Sequence, residues 1–297
     1  MGSPAETLVV TGLGARTPVG LNVEQTCASI RAGVARVAEH EYYDAVTPDP
    51  EWDEPEPLLC ATVPDVDPFL DEQERLEALI RPLLGRMLGT MDLKRADLPR
   101  LGVLLALPQD DPPLRDWNLG KGFLPHLMRA AGLGEVGALA VNQEGHTGVF
   151  SLLRTAGKLL ATGKIDQCLV GGLDSYLLED RLEWRDEQWR LRSARAVDGF
   201  TPGEACVLLR VETLQRATAR GAGIAAVLGP VGEGQEPDAY HGERASSGRG
   251  LITALELALA ALSDCVIGTL RIHALLNGIE VDRAQITVRA PLDLQVL

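Results

Sequence analysis

His146 is the residue with the most chemical promise in this chain. It lies in Asn142-Gln143-Glu144-Gly145-His146-Thr147-Gly148, a polar, glycine-bearing turn that follows the apolar run Ala138–Val141. Val149, Leu152, Leu153, Ala156, Leu159 and Leu160 then recur three and four residues apart, so the spacing predicts a buried helix opening beside the imidazole. The unpaired amides and positive partial charge of a helix N-terminus can hold an oxyanion or activate a thiolate. The same field favours neutral imidazole over imidazolium. Glu144, two residues earlier, supplies a carboxylate close by. The pattern also describes any strand–turn–helix unit, so spacing alone selects no reaction.

Several elements must position that turn. Thr147 is the expected N-cap, and Gly163 the left-handed residue that ends the helix. Cys168–Val170 reads as a buried strand running into Gly171-Gly172. Upstream, the strand Leu8–Thr11 leads into Gly12-Leu13-Gly14-Ala15-Arg16-Thr17-Pro18-Val19-Gly20. A dinucleotide fingerprint would place a third glycine where Thr17 stands, and Pro18 keeps the chain turning, so that reading is weak. Glu39–Pro57 reads as an irregular surface insertion and Ala61–Val66 as an edge strand. Asp71–Met91 is a helix with Leu76, Leu79, Ile80, Leu83, Leu84 and Met87 on one stripe around Pro82. Leu101–Leu107 is an apolar strand, Gln109–Asp116 an acidic loop, and Phe123–Ala131 a helix. Val197–Ala205 is a glycine-bearing turn before the strand Cys206–Val211. Further on come a helix at Thr213–Arg220, a strand at Ile224–Leu228, a loop at Gly229–Ser247, an apolar helix at Gly250–Leu262 and a strand at Leu270–Leu276. Strands alternating with helices indicate an α/β fold.

With 297 residues, 45% of them hydrophobic, the chain can bury one large core or two smaller ones. Its formal charge of −14 argues against nucleic acid or an anionic membrane surface as partner. The strongest basic patch is Arg181, Arg185, Arg190, Arg192 and Arg195, interleaved with acids and read as a solvated charged loop. Five scattered cysteines fit a reducing compartment. His40, His126, His146, His241 and His273 lie far apart, with no zinc-ligand spacing, so neither metal nor cofactor is expected. The polar Met1–Glu6 does not resemble a signal peptide and no run reaches membrane-spanning length, so the cytoplasm is the expected compartment.

Three blocks resemble the β-ketoacyl synthases of the thiolase-like superfamily. Thr162-Gly163-Lys164-Ile165-Asp166 and Val170-Gly171-Gly172-Leu173-Asp174-Ser175 are similar to the family's R-S-G-R-A-D and A-G-G-x-(E/D)-S segments. Val9-Val10-Thr11-Gly12-Leu13-Gly14 with Thr17-Pro18 and Gly20 resembles its opening strand, and the helix after it, with Thr26, Ile30 and Ala32-Gly33, is similar too. Asp198-Gly199-Phe200 with Gly203-Glu204-Ala205 resembles its D-G-F-x-x-G-E-G-A segment. The resemblance implies a thiolase-like layered α-β-α fold, with a first half complete over 1–220 and a truncated second half over 221–297. It also implies that Gly171, Gly172, Phe200, Gly203 and Glu204 surround the site, Glu204 being buried and hydrogen-bonded.

Counting back from Gly163 by the family spacing puts the catalytic cysteine's position at His146. Cys27, Cys60, Cys168, Cys206 and Cys265 all fall in other elements. In the second half, Leu275 falls where the family has its first active-site histidine, with His273 two residues early. The second histidine and the gatekeeping aromatic would fall beyond Leu297, the chain matching roughly the first two-thirds of a synthase. Condensation needs a thiolate to carry the acyl group and two imidazoles to stabilise the enolate. The implied function is therefore that of a non-condensing partner, like a chain-length factor, in fatty-acid or polyketide-type biosynthesis. Its expected assembly is a homodimer, or a heterodimer with an active synthase, paired through Ala138–Val141. The acidity weighs against docking of an acidic acyl carrier protein. The alternatives are an acyltransferase or hydrolase working through His146 and Glu144, and a decayed fragment.

Overall fold

The computed structural model describes residues 7–45, 56–70, 72–91, 93–111, 113–114, 119–133, 135–194, 196–236 and 247–258. Residues 9–226 form one compact unit, and residues 1–8 with 227–297 form another.

The larger unit is built on a sheet whose strands are short apolar runs. These are β1 (Leu8–Arg16), β4 (Leu101–Ala106), β5 (Ala138–Asn142), β6 (Gln167–Ser175) and β7 (Glu204–Thr213), in the order β5-β4-β6-β7-β1 with the two-residue β8 (Ala226–Val227) after β1. β4 runs parallel to both β5 and β6, while β6 and β7 are antiparallel. Every residue of β4 is buried, as expected of a strand covered on both faces.

The two faces separate by parity. Leu101, Val103 and Leu105 of β4 and Leu169 and Leu173 of β6 join a core with helices α2 (Glu72–Gly89) and α3 (Leu124–Ala130). α4 (Gly148–Ala161) covers the other face, where Gly148 lies against Ala106 and Val149 against Gly172. The result is the expected layering of helix, sheet and helix. On α2 the predicted stripe Leu76, Leu79, Ile80, Leu83, Leu84 and Met87 is buried as a unit, each side chain contributing about 1.5–3 kcal/mol of transfer free energy. Pro82 sits within the helix on its exposed side. Gly14 lies inside β1, not in a phosphate-binding turn: a Cβ there would come within 2.7 Å of Leu83. Its role is close helix–sheet packing. The helix after β1, α1 (Val23–Arg31), is capped by Asn22, whose side chain accepts from the Gln25 amide.

Two expectations are corrected. The stretch read as an irregular insertion contains an antiparallel hairpin, β2 (Ala38–Ala45) with β3 (Glu56–Cys60), pairing Ala38 with Cys60 and Ala45 with Glu56. His40 and Ala45 turn inward from it, so its alternation is half-apolar and masked by the surrounding acids. Ala61–Val66 is not a strand beyond one bridge from Ala61 to Gly203. Pro64 has no N–H to donate, and the Val63 amide is taken by the Glu204 carboxylate.

β7 ends at Thr213, whose hydroxyl caps the short helix Leu214–Ala219 by accepting from the Arg216 amide. The expected strand at 224–228 is reduced to β8, flanked by bonds from the Ala225 amide to Val10 and the Leu228 amide to Leu8. In the second unit, residues 249–258 are helical, with Leu251, Ile252, Leu255 and Leu257 exposed. The remainder of the expected apolar helix, the strand Leu270–Leu276, His241, His273 and Leu275 lie outside the described residues.

Candidate functional site at the carboxyl ends of the central strands

The parallel strands β4, β5 and β6 all finish at one edge of the sheet, the end of such sheets where open α/β folds bind ligands. β5 delivers Asn142 there, and a 3-10 turn over Gly145–Thr147 leads into α4. The turn is held from behind. Leu107 N donates to Asn142 O, and Asn142 Nδ2 donates to Gly148 O at 2.9 Å. Gly145 adopts φ +59°, with the Gln109 side chain against it, a conformation that favours glycine. Asn142 Oδ1 is buried without a partner among the described residues.

His146 sits on this turn, exposed to solvent. Among the described residues no hydrogen bond or ion pair reaches its imidazole. Glu144 does not serve it: the carboxylate accepts from Ser151 Oγ at 2.6 Å. Thr147 is not the side-chain cap that its type suggested. It has helical backbone angles, and its hydroxyl donates back to Glu144 O at 2.9 Å, because the 3-10 turn brings that carbonyl within reach. The other end of α4 is as expected. Gly163 has φ +67°, Gly163 N donates to Leu160 O, and Lys164 N to Leu159 O, completing a left-handed helix cap.

The glycines of β6 make close approach possible. A Cβ on Gly171 would sit 2.0 Å from Val207 O of the neighbouring strand, and one on Gly172 would sit 3.1 Å from Val149 of α4. Gly172 thus lets the first turn of α4 lie down on the sheet. Gly203 packs on Ala61 and its carbonyl accepts from Tyr176 N. Phe200 meets the Tyr176 ring edge-on at 5.0 Å. Glu204 is buried, as expected: it accepts from Arg75 Nε at 2.8 Å, Arg75 Nη2 at 3.2 Å, Ser175 Oγ at 3.0 Å and Val63 N at 3.0 Å. The structure therefore joins Gly203, Glu204 and Phe200 at the end of β6 and the start of β7, while Gly171 lies mid-strand opposite Leu208. Gly172 links that group to α4, and His146 stays on the rim.

The arginine-rich segment departs from its reading as a solvated loop. It begins with helix α5 (Glu179–Glu187), in which Arg181 is fully buried and Arg185 nearly so. Arg181 Nε donates to Asp111 at 3.0 Å, Nη1 donates to Asp174 at 2.5 Å, and the guanidinium lies 3.7 Å from the Tyr176 ring centroid. Arg185 Nη2 reaches both oxygens of Asp111 at 3.2 Å. Burial disfavours the charge on Arg181, but Asp174, Tyr176 and Asp111 outweigh it and its pKa rises. Arg192 is exposed, and Arg195 lies outside the described residues. Sequence reasoning missed Asp111 and Arg75. A signal existed for both: Arg181 and Arg185 share a helix face with buried Leu182 beside them, and Arg75 falls one turn before Leu79 on the buried stripe of α2.

Three of the described cysteines are held as thiols by burial. Burial raises the thiol pKa of Cys60 to about 11 and those of Cys168 and Cys206 to about 12, so each is protonated at neutral pH. Cys27 is exposed on α1. Among the described residues no group of three metal-ligating side chains comes together, and no helix is long and apolar enough to cross a membrane.

No protein-family profile matches the sequence, and no curated protein matches it. Solved structures do. The chain superposes on the structure of a type II polyketide synthase acyl-carrier protein in complex with its ketosynthase bound to the hexaketide, at TM-score 0.64 and 19% identity, covering 86% of this chain and 69% of that one. It is similar to a β-ketoacyl synthase from Burkholderia phymatum (TM-score 0.58, 20% identity, 86% and 70% covered). It is also similar to the ishigamide ketosynthase/chain length factor (0.60, 20%, 85% and 70%). The chain has the thiolase-like fold of the ketosynthases.

Proposed function

We propose that this protein is a ketosynthase-like subunit without condensing activity, acting beside an active synthase in polyketide- or fatty-acid-type biosynthesis. The observation that carries the reading is His146 on the exposed turn before α4, where the fold's nucleophilic thiol is expected, with the thiols of Cys60, Cys168 and Cys206 buried and protonated. An imidazole there cannot store an acyl group, since acyl-imidazoles hydrolyse in water. One of the similar structures is a ketosynthase/chain length factor, which supports a paired role. The proposal includes a division of the chain near residue 220, a cytoplasmic setting, and dimerisation with itself or with the synthase.

The hydrolytic reading through His146 and Glu144 has less support, because Ser151 occupies the Glu144 carboxylate. The test is incubation of the full chain with acyl and malonyl thioesters, followed by intact-mass analysis and assay for free acid. No adduct, no decarboxylation and no hydrolysis are expected. A stable acyl mass mapped to His146, or turnover abolished by His146→Ala, would overturn the proposal.

A further inference from the structure

The opposite end of the sheet holds a second concave site. A 3-10 turn over Arg95–Arg100 runs directly into the start of β4, whereas His146 follows the end of the parallel strand β5. Six residues of strand separate the two ends by about 20 Å. At the start of β4 lies a cavity of about 640 Å³, within the range of roughly 300–1,000 Å³ common for small-molecule sites.

Its floor is apolar. Leu88 comes from the last turn of α2, Leu93 precedes the 3-10 turn, Leu98 lies within it, and Leu133 follows α3. All four pack against the main core while leaving part of their surface uncovered. Gly132, at φ +69° after α3, turns the chain so that Leu133 faces this hollow instead of extending the helix.

Its rim is cationic. Lys94, Arg95 and Arg129 line the cavity, all exposed, and none forms an ion pair among the described residues. Several other cations of this chain, which carries −14 overall, are matched: Arg16, Arg75, Arg100 and Arg181 each hold a carboxylate. Among the described residues no acidic side chain lines this cavity. The nearest in the turn, Asp97, is engaged with the Lys94 backbone amide at 2.9 Å. Leucines gathered under three unmatched cations fit a ligand with one anionic head and one apolar tail. A free nucleotide or sugar phosphate would leave the leucine floor uncovered, and a neutral lipid would leave the cations unmatched.

We infer that this cavity binds a single-chain amphiphilic anion of the fatty-carboxylate class, its head at Lys94, Arg95 and Arg129 and its tail on Leu88, Leu93, Leu98 and Leu133. The inference is independent of whether the His146 end carries out any reaction. Calorimetric titration of the full chain with decanoate tests it, with decanol as the uncharged control. Saturable binding of decanoate is expected, and two lost charge-assisted contacts in Lys94→Glu/Arg129→Glu should weaken it about tenfold or more without moving the unfolding midpoint. Decanol should bind the unaltered chain at least as weakly as decanoate binds the double variant. Absence of decanoate binding, a loss below about threefold in the variant, or equal binding of decanol would each overturn the assignment.

Discussion

Arg75 and Glu204, 129 residues apart in the chain, meet in a two-pronged ion pair between α2 and the start of β7. Their side chains are 1% and 0% exposed, and the remaining capacity of Glu204 is filled by Ser175 and the Val63 amide. The carboxylate therefore ties together four segments: the helix, both antiparallel strands and the loop after β3. Removing one partner leaves a buried charge without compensation, which generally costs about 3–5 kcal/mol. Arg75→Met is expected to lower stability by that amount in urea unfolding. Adding Glu204→Gln should recover part of the loss, because the orphaned charge is then gone. A double variant as unstable as the sum of the two singles would show that the pair is not coupled.

The glycines of the site differ in what they tolerate. Gly171→Ala places a Cβ 2.0 Å from a backbone oxygen of β7, so the strands must separate, and insoluble or unfolded protein is expected. Gly163→Ala meets nothing within 4 Å, and its cost is the strain of φ +67°, about 1 kcal/mol. Unfolding midpoints of the two variants should differ accordingly.

Acid should weaken the fold in two stages. Burial, aided by the Arg75 charge, lowers the pKa of His40 below its ordinary 6.5. The unfolded chain then takes up this proton first, so His40's contribution is complete above pH 6.5 and declines as the pH falls toward the lower folded value. Hydrogen bonds from Arg100 lower the Asp166 pKa, and those from Arg220 and Thr11 outweigh the burial of Glu212 to lower its pKa as well. Their contributions are present above their ordinary values of 3.8 and 4.5 and are lost at lower pH. In denaturant titrations His40→Gln should flatten the stability profile below pH 6.5 and leave the loss below pH 4.5 in place. An unchanged slope in the upper window would exclude His40 as its source.

The sequence declares its helices and buried strands through local periodicity, which is why α2, α4 and β4 fall close to their expected spans. Gly163 was legible for the same reason, since a left-handed cap needs only its neighbours. The hairpin of β2 and β3 was hidden because its inward residues include His40, and its strands are stabilised by pairing across a long connection. Arg181 and Asp111 were hidden more deeply. A charged side chain reads as exposed until its partner is known, and here the partner lies in a loop 70 residues away. The three family-like blocks located the glycines around β6, but only the folded chain places Val149 on Gly172 and leaves His146 exposed.

Assembly gives the last prediction. Among the described residues β5 is the edge of the sheet, paired on one side only, by β4. It is apolar, Ala138-Leu139-Ala140-Val141-Asn142, with Leu139 42% exposed and Phe150 of α4, following closely in the chain, 55% exposed. An open apolar edge of this kind presents unpaired amides and carbonyls to any passing strand, and folded proteins normally cover or charge it. The edge of β5 carries no Lys, Glu or Pro to block pairing. The expected cover is a second β5, or the corresponding strand of a synthase, burying about 1,200–2,000 Å² in all. Sedimentation of the full chain at micromolar concentration should give a dimer. Leu139→Asp should shift it toward monomer or aggregate while Phe69→Asp, at an exposed site on a different segment, should not. A soluble monomer before and after Leu139→Asp would remove the dimer and leave the edge strand needing another explanation.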